Sequence, residues 1–589
     1  MNRPFPKLQD NRLAPPRVAD HVVLMLVVVI YVGARLWHIT SYSLWGGESW
    51  GLALIRQDWR SMMKDVVMDV AHPPLFYFLL RIWIAIGGEG LLWLKLLPVL
   101  FSIATIVPFV LLCRELRLSR GATSLALLLA ACDGYLIHYA QEVRSYSLLL
   151  CLAVTSAWLF VRFFNADDHV LRKAAILSVV NLLLVYTHYH GWFVVASEGL
   201  FLLIWGRHRL AAFAVSVAGL LVAFSPWAFL VTRAALARIK IGSEWVPRPD
   251  LTELKLLYEN LNGPALPSVP GVASAGLLLF AAPVLLWLWR SLSRSPAAPR
   301  DHPIVLWWLL FMGLLPVAAL FLTSQVGRQS LFLDRYLIFT ALAYYALIGA
   351  AVHRLQPAGL RVAYVCLVVA WTLTAGLGDL RTNRMAWEGV QLGSRVDYRS
   401  LTERLVEAEG ASTGDVPLYL LSGSSNGVVA GGWAISTSVG FYLGELAHEP
   451  WKPEFGPRGT LWSGRRGRFL TVSETDLLKI IRTSQGEHFW LGYMQSDPAP
   501  GPQPRQVLIE HGLEVGPAIE QVENANRVVL LPVQPPHYRQ SLTEVAPTGR
   551  GVAVAATRPH LQHCFPGFPA SKPVSSRSII CTPVAVTPQ

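Results

Sequence analysis

Long apolar runs separated by short polar loops dominate the chain as far as residue 378. The first run covers residues 21–37, and others follow at 73–86, 91–113, 121–140, 145–164, 174–189, 192–206, 211–231, 271–289, 304–324, 337–352 and 361–378. Most approach the roughly 20 residues that an α-helix needs to cross a bilayer. The run at 73–86 is shorter, begins with two prolines and carries Arg81, which is typical of an interfacial or re-entrant helix. The pattern therefore predicts about eleven transmembrane helices.

The pattern becomes that of a soluble domain beyond residue 378. Helical periodicity appears at 397–409 and 474–483, and strand-like segments appear at 417–421, 488–494 and 527–533. We expect a small α/β domain over residues 379–534, which is long enough to hold its own core. From 535 to 589 the chain is rich in Pro, Ser and Thr, and we expect a poorly ordered tail.

Basic residues in the loops indicate how the helices are oriented. If the run at 73–86 does not cross and residues 1–20 are a cytoplasmic segment, the basic loops all fall on the inner face. These loops contain Arg114, Arg117, Arg120, Arg162, Arg172, Lys173, Arg207, Arg209, Arg290, Arg294, Arg300, Arg354 and Arg361. We therefore expect an all-α polytopic membrane domain over 21–378, embedded in a cell (inner) membrane. The α/β domain over 379–534 then lies outside the cytoplasm.

Composition agrees with a membrane protein and argues against other classes. Hydrophobic residues make up 53% of the chain and charged residues 15%, below the roughly 25% typical of soluble domains. The net charge of +12 sits largely in short loops that set membrane orientation, so it does not imply a nucleic-acid partner. The six cysteines form no CxxC pair, and the spacing leaves the pairing of Cys564 with Cys581 open.

Candidate acids occur in the first outer loop. Glu48 follows Trp45-Gly46-Gly47, and Asp69 lies three residues before His72 and its two prolines. A carboxylate held beside the membrane among Trp residues is a candidate general base, because partial desolvation raises its affinity for a proton. The alternative for Glu48 is a solvated loop acid.

Further ionisable residues lie where spans reach the outer surface. Glu142 and Arg144 precede Tyr146 at one span, and Arg335 precedes Tyr336 at another. Such groups are costly near a membrane and usually pair or bind a ligand, and Arg suits phosphate oxygens. The alternatives are a structural ion pair at Glu142 and Arg144 and an interfacial anchor at Arg335, each about as favoured as anion binding.

Two histidines flank Tyr189 at the outer end of a third span. His188 and His190 have the His-x-His spacing of metal ligands, but no nearby acid completes a set. Hydrogen-bonding residues of the interfacial belt are the better interpretation, and we expect no metal site here. A requirement for a divalent cation is left open. The segment from Trp245 to Pro249 is typical of a cap over a site.

Taken in order, these segments resemble the integral-membrane glycosyltransferases of the GT-C class. The resemblance is to the branch that contains protein O-mannosyltransferases and the bacterial enzymes that add aminoarabinose or uronic acid to lipid A or lipopolysaccharide. The matching segments are Leu44 to Glu48, His72 to Leu75, Gln141 to Tyr146, Thr187 to Tyr189, Trp245 with its prolines, and Arg335 with Tyr336. They run through residues 20–380.

The resemblance implies a donor, an acceptor and a reaction. The donor is a polyprenyl-phosphate-linked sugar, the acceptor is a hydroxyl of an envelope glycolipid, polysaccharide or protein on the outer face, and the displacement inverts the anomeric carbon. The residues it implies for binding the donor phosphate and substrate are His72, Glu142, Arg144, Tyr146, His188, Tyr189, Arg335 and Tyr336.

The resemblance fails at one position of the first loop. The class usually has a pair of acids there, but Gly47 stands in place of the first. We therefore expect Glu48 to be the catalytic base, Asp69 to be the next candidate, and altered or lost chemistry to be a third interpretation. On this view Gly47→Asp raises the activity of a weakened transferase.

A transporter or lipid flippase is the main alternative from another functional class. It would also need many spans and buried charges, but its polar residues usually lie near mid-membrane in internal repeats. Here the charges gather at one face, which favours the transferase. An inactive assembly or sensor subunit is a further alternative, because Gly47 removes an acid.

Overall fold

The described part of the chain consists of a helical membrane part and a smaller α/β part. A computed structural model describes residues 18–237, 246, 248–262, 272–293, 303–327, 330–377, 396–410, 416–421, 428–429, 432–447, 452–456, 459–464, 467–474, 476–484, 486–496, 503–523 and 526–535. Most of the cytoplasmic segment predicted at 1–20, the tail after residue 535, Trp245 and both Cys564 and Cys581 lie outside these residues.

The membrane part is built from helices in chain order. They are α1 (Val18–Leu36), α2 (Gly46–Ile55), α3 (Trp59–Asp69), α4 (Leu75–Gly87), α5 (Leu91–Ala104), α6 (Ile106–Glu115), α7 (Arg120–Cys132), α8 (Gly134–Ala140), α9 (Tyr146–Phe164), α10 (Val170–Thr187), α11 (Gly191–Trp205), α12 (Leu210–Ala237), α13 (Leu251–Leu261), α14 (Val272–Ser293), α15 (Pro303–Val326), α16 (Ala341–Val352) and α17 (Ala358–Leu377). Short 3₁₀ helices at Arg207–Arg209 and Asp334–Thr340 precede α12 and α16.

The lengths of these helices make the chain a multi-pass membrane protein. Among the described residues eight helices are long and apolar enough to cross a membrane, or nine if α7 and α8 form one bent span. Three shorter apolar helices are α4, α11 and residues 358–373 of α17, and counting only the last two as spans gives the eleven expected from the sequence (9 + 2). The helix α4 has only 13 residues, which agrees with the prediction that this segment is too short for a full crossing.

A bend between α7 and α8 directs the chain toward the candidate site. The two helices meet at 64°. Asp133 begins α8 by accepting a hydrogen bond from Leu136 N at 3.1 Å. The buried guanidinium of Arg35 donates to the carbonyl oxygens of Ala130 at 3.0 Å and Ala131 at 3.4 Å, which α7 leaves without helical partners. These caps stabilise the break, and the segment 141–145 follows at the end of α8.

The membrane helices bury their polar groups and expose apolar ones. On α1, Tyr31 and Arg35 are almost fully buried, whereas Met25 and Val29 are exposed. In a bilayer such exposed apolar side chains contact lipid, and backbone polar groups are satisfied inside each helix. The helical part is thus solvated by lipid outside and close-packed inside.

A mixed nine-stranded sheet forms the centre of the α/β part. Its strands are β1 (Leu418–Leu421), β2 (Val428–Val429), β3 (Lys452–Gly456), β4 (Gly459–Gly464), β5 (Gly467–Glu474), β6 (Phe489–Ser496), β7 (Glu514–Val515), β8 (Ile519–Glu523) and β9 (Asn526–Gln534). The order is β3-β4-β5-β1-β6-β9-β7, with β2 on β6 and β8 on β9. The strand β1 is parallel to β5 and β6, and the other pairs are antiparallel.

Helices cover the sheet and join it to the membrane part. They are α18 (Tyr398–Glu409), α19 (Gly432–Ala447), α20 (Leu477–Thr483) and α21 (Pro504–Glu510). Alternate residues of the central strands point to opposite faces, so Leu420 packs in the large core and Tyr419 in a separate one with Ile480. The helix α19 packs against α2, where the Tyr442 hydroxyl accepts a hydrogen bond from Leu44 N at 2.6 Å.

Candidate active site

Glu48 joins the start of α2 to the segment that follows α8. It lies in the first turn of α2, where the positive end of the helix dipole favours a carboxylate. Its Oε2 accepts a hydrogen bond from Trp45 N at 3.0 Å, and its Oε1 accepts one from Val143 N at 2.6 Å. The side chain is fully buried. Both carboxylate oxygens are therefore engaged by backbone N–H groups.

The Trp45 indole occupies the space beside Gly47. Its Nε1 donates to Glu142 Oε1 at 2.8 Å. A Cβ atom added at Gly47 would lie 2.6 Å from two carbons of the Trp45 ring, closer than non-bonded carbons approach. The glycine at position 47 therefore makes room for the indole, and this explains locally why no acid stands there.

Arg144, His72 and Asp69 form a continuous chain of polar contacts. The Arg144 guanidinium donates to the Gly47 carbonyl oxygen at 3.1 Å and lies 2.9 Å from His72 Nε2. An arginine can only donate, so His72 Nε2 is an acceptor and the ring proton resides on Nδ1. That nitrogen lies 3.2 Å from Asp69 Oδ2 and donates to it. The turn at Val70, with φ of 61°, brings the two side chains together.

The charge state of His72 follows from its surroundings. Burial lowers the pKa of this imidazole below its usual value, and the positive charges of Arg144 and Arg335 lower it further, while Asp69 opposes them. The ring is therefore neutral at pH 7. Because both arginines act on the same ring, they converge on one site.

His188 and His190 present buried nitrogen atoms toward the same site. His188 Nδ1 lies 3.2 Å from both His190 N and His190 Nδ1. The backbone N–H can only donate, so His188 Nδ1 is the acceptor and a neutral His188 ring carries its proton on Nε2. The Nε2 atoms of both rings are buried and have no partner among the residues that the structure describes. Burial lowers the pKa of both rings, that of His190 to about 4.

Aromatic rings connect these groups into one cluster. The Tyr336 ring centre lies 4.8 Å from that of His188, 4.9 Å from that of His190 and 6.5 Å from that of Tyr146. His72 lies 6.0 Å from His188, edge to face. The 3₁₀ helix Asp334–Thr340 carries Tyr336 and Arg335 to this position, and the Tyr135 hydroxyl donates to the Asp334 carbonyl oxygen at 2.5 Å.

Most of the residues predicted from the sequence meet in this cluster. It contains His72, Arg144, Tyr146, His188, Arg335 and Tyr336, with Asp69, Glu142 and Glu48 at its edges. Tyr189 is engaged elsewhere, since its hydroxyl accepts from Trp227 Nε1 at 3.1 Å. A cavity of about 10 Å³ beside Arg144 is lined by His72, Pro73, Phe76, Tyr77 and Ser145.

Three participants were not predicted as site residues. His190 lies in the same sequence segment as His188, and that spacing was the available signal. Trp45 stands beside the glycine pair, but no sequence pattern shows that its ring covers Gly47. Tyr442 belongs to the α/β part. Its hydroxyl accepts a hydrogen bond from Leu44 N, which is almost 400 positions away in the sequence.

The described residues contain no group of three or more His, Cys, Asp or Glu side chains placed to hold a metal ion. His188 and His190 therefore lack a third ligand of these types. Their described contacts include each other, the Tyr336 ring and, for His190, the backbone of Leu331.

Comparison with known proteins gives structural neighbours but no sequence relatives. No known family and no curated protein matches the sequence. Apo ArnT from Cupriavidus metallidurans matches over 87% of this chain and 97% of its own, with 14% identity and a TM-score of 0.51. ArnT bound to undecaprenyl phosphate matches over the same shares, with 13% identity and a TM-score of 0.49. Archaeoglobus fulgidus AglB, an oligosaccharyltransferase, in complex with an inhibitory peptide and a dolichol-phosphate, matches over 72% and 64%, with 14% identity and a TM-score of 0.45.

The likeness to apo ArnT shows the fold. ArnT is a GT-C protein, so the fold expected from the sequence resemblance is confirmed. At 14% identity the likeness does not extend to substrates or residue roles.

Proposed function

We propose that this chain is a membrane glycosyltransferase that moves a sugar from a polyprenyl-phosphate carrier to an acceptor hydroxyl on the outer face of the membrane. The acceptor class is an envelope glycolipid, polysaccharide or protein. The proposal includes a cell (inner) membrane location with the α/β domain over 379–534 outside the cytoplasm. It extends to this chain a ligand class, undecaprenyl phosphate, with which ArnT has been crystallised.

The observation that carries the proposal is a cluster of two arginines, Arg144 and Arg335, at one end of the spans. Arg144 is 8% exposed. The positive charges of Arg144 and Arg335 both interact electrostatically with the rings of His72 and Tyr146, so the two arginines lie near one another. Two guanidinium groups in a poorly solvated site are matched to the oxygens of a phosphate. The Nε2–H of His188, which has no partner among the described residues, adds a further donor beside them. Such a phosphate must arrive at the membrane edge, and a lipid carrier delivers it there.

Asp69 is the better placed of the two candidate bases. Glu48 is fully buried and both its oxygens accept backbone hydrogen bonds, so an acceptor hydroxyl has no direct access to it. The Asp69 side chain is 24% exposed, and its Oδ1 has no partner among the described residues. Its Oδ2 is held by His72, which orients the carboxylate. We therefore assign proton removal to Asp69 and loop fixation to Glu48.

The proposed step is a single displacement. The acceptor O–H gives its proton to Asp69 Oδ1 while its oxygen forms a bond to the anomeric carbon. The bond from that carbon to the phosphate oxygen breaks, and the bonding electrons leave with the lipid phosphate. Arg144 and Arg335 stabilise the charge that develops there. Attack opposite the leaving group inverts the anomeric configuration.

The donor side is tested by binding of undecaprenyl phosphate to the purified full chain. Arg335→Ala should weaken binding at least tenfold, and Arg335→Lys should restore part of it, because an ammonium supplies charge without the planar fork. The matched control is Arg233→Ala, since Arg233 is an exposed arginine near the end of α12 whose guanidinium lies 5.7 Å from the Phe229 ring centre. Equal binding by the Arg335→Ala protein and the parent would refute the donor site.

The base is tested by mass spectrometry of envelope glycans from a deletion strain that carries each variant. Asp69→Asn keeps size and hydrogen bonding but cannot take a proton, so transfer should fall by about 10²–10⁴-fold while donor binding survives. Compared with Asp69→Asn, Glu48→Gln should reduce transfer less and thermal stability more. The amide has only one acceptor oxygen, so one of the two backbone N–H groups bonded to Glu48 loses its acceptor. If Asp69→Asn transfers at the parental rate, Asp69 is not the base, and a Glu48→Gln protein that keeps the parental stability but loses transfer would assign that role to Glu48. If both transfer at that rate, the mechanism is wrong.

A further inference from the structure

A groove lies between α14 and α16 at the end of the helices opposite to the candidate active site. The span Asp334–Val352 carries Tyr336 of the site at one end, and Arg354 follows its other end. A cavity of about 30 Å³ opens there, lined by Pro283, Leu286, Trp287, Arg290, Ser291, Ala351, Arg354 and Leu355. By the distribution of basic loops this is the cytoplasmic face.

The polar end of the groove is cationic. The Arg354 guanidinium lies 4.2 Å from the centre of the Trp287 ring, and its Nη1 donates to the Ala350 carbonyl oxygen at 2.9 Å, so its position is fixed. Arg290 is partly exposed and has no hydrogen-bond or ion-pair partner among the described residues. Between residues 260 and 378 the chain has seven Arg, no Lys and two Asp, one of which is Asp334 at the opposite face. The other is Asp301, in the loop that follows α14, so this part of the sequence has more basic than acidic residues.

The other end of the groove is apolar and continues onto the lipid-facing surface. Pro283, Leu286 and Leu355 form its walls. Next to them on α14, Leu285 and Trp289 are exposed by 60% and 63%. An arginine pair beside a hydrocarbon wall suits a phosphate that carries an acyl chain, whereas a free phosphate would use only the cationic end.

We propose that this groove binds the phosphate head group of an anionic glycerophospholipid from the inner leaflet. The phosphate contacts Arg290 and Arg354, and the first part of an acyl chain packs on Leu286 and Leu355. Basic residues that only set orientation need no cavity and no fixed side chain, and Arg354 has both. The site is separate from the proposed donor site and does not depend on the glycosyltransferase assignment.

The test is native mass spectrometry of the purified full chain in detergent with phosphatidylglycerol, phosphatidylcholine or inorganic phosphate added. The parent should retain phosphatidylglycerol in preference to phosphatidylcholine. Arg290→Gln should weaken this retention about fivefold, the effect of one basic side chain near an anionic lipid surface. The double variant with Arg354→Gln should abolish the preference. Arg172→Gln is the matched control, because Arg172 is an exposed arginine at the start of α10, which is predicted on the same face.

Each outcome decides the proposal. Equal retention by the parent, Arg290→Gln and the double variant would overturn it, as would full displacement of the lipid by millimolar inorganic phosphate. Arg290→Gln is the primary variant, since no described contact is lost with its charge, and a parental unfolding midpoint without added lipid confirms that it folds. Binding of undecaprenyl phosphate to the same variants should be unchanged.

Discussion

The Trp45 indole restricts which residue can stand at position 47. Its ring lies 2.6 Å from the position that the Cβ of any larger residue would occupy, and its N–H donates a hydrogen bond to Glu142. The structure thus gives a different expectation for Gly47→Asp than the class resemblance does. Instead of raising activity, the variant must displace the indole, and overpacking of this kind costs about 1–3 kcal/mol.

The Gly47→Asp protein should therefore unfold at a lower temperature and transfer less sugar than the parent. Combining it with Trp45→Ala restores room for the aspartate, so the double variant should recover stability relative to Gly47→Asp. Gly51→Ala is a matched control in α2, because its Cβ would meet only Tyr77 at the ordinary distance of 3.6 Å. A Gly47→Asp protein with raised activity and parental stability would contradict this account and favour the acid pair.

The buried histidines give the protein a defined dependence on pH. Burial lowers the pKa of His72, His188 and His190, that of His190 to about 4, whereas in the unfolded chain each titrates near about 6.5. Between these values the unfolded chain holds more protons, so stability is complete above about pH 6.5 and falls as the pH is lowered toward 4. His190→Gln should reduce the slope of unfolding free energy against pH by up to about 1.4 kcal/mol per pH unit. Denaturation from pH 4 to 7 measures this, and an unchanged slope would contradict it.

The sequence made the site residues conspicuous but not their partners. Arg144 and Arg335 were found because ionisable residues are rare at the ends of apolar runs. The distinction between Glu48 and Asp69 depends on which backbone N–H groups reach each carboxylate, and Val143 is 95 positions from Glu48. Sequence spacing carries no information on such a contact.

A ring of three polar side chains joins α9, α10 and α11 inside the membrane part. Ser156 Oγ lies 2.5 Å from Asn181 Oδ1 and 2.7 Å from Glu198 Oε1, and Asn181 Nδ2 donates to Glu198 Oε2 at 3.0 Å. A hydroxyl has one hydrogen, so if Ser156 donates to Asn181, Glu198 must donate to Ser156. Exchanging the amide atoms of Asn181 leads to the same requirement. The ring is complete only when Glu198 carries a proton.

Glu198→Gln should accordingly keep the parental unfolding midpoint at pH 7.5 or raise it, since a glutamine supplies one donor and one acceptor. Glu198→Ala should lower stability by about 1–3 kcal/mol, because two buried polar groups lose their partner. Thermal unfolding in detergent measures both, with Ser197→Ala on the same helix as a control. A large loss in Glu198→Gln would show that the charged carboxylate is needed, as expected for an open polar path of a transporter rather than a closed ring.

The helices and strands of the α/β part were predicted correctly where apolar residues recur at a regular spacing. The helices at 397–409 and 474–483 and the strands at 417–421, 488–494 and 527–533 are confirmed within a few residues. The strands β3, β4 and β5 were missed, because each begins or ends with a glycine and β3 also contains Pro453, residues that are depleted in strands and typical of turns. The helix α19 was missed as well, since its Ser, Thr and Gly content lacks the strong periodicity of a surface helix.

At the scale of the whole molecule, the sequence predicted the class of fold through lengths and loop charges. Apolar run length follows from bilayer thickness, a single physical quantity, so the spans were predictable without a partner sequence. The bend between α7 and α8 was not, because it depends on Arg35, which caps α7 from another helix. The way α19 meets α2 is also a long-range contact that no local pattern encodes.

Reporter fusions test the orientation of the chain in the membrane. Arg117 lies between α6 and α7, and with Arg114 and Arg120 it forms the first basic loop after α4. With 13 residues α4 is predicted not to cross, and α5 with α6 then returns the chain to the side where α1 began. Because basic loops are retained in the cytoplasm, an enzymatic reporter fused after residue 117 should be cytoplasmic and one fused after residue 400 external.

A reporter after residue 209, in the basic turn between α11 and α12, serves as an internal control and should lie on the same side of the membrane as the reporter after residue 117. If residue 117 is external and residue 209 is external as well, α4 crosses the membrane and every later loop changes side. The candidate site would then face the cytoplasm, where soluble nucleotide sugars are available, and the lipid-linked donor would lose its physical reason. If the reporter after residue 117 is external but the one after residue 209 is cytoplasmic, the error is confined to α4 through α6. The predicted orientation of Arg144 and Arg335 is then unchanged.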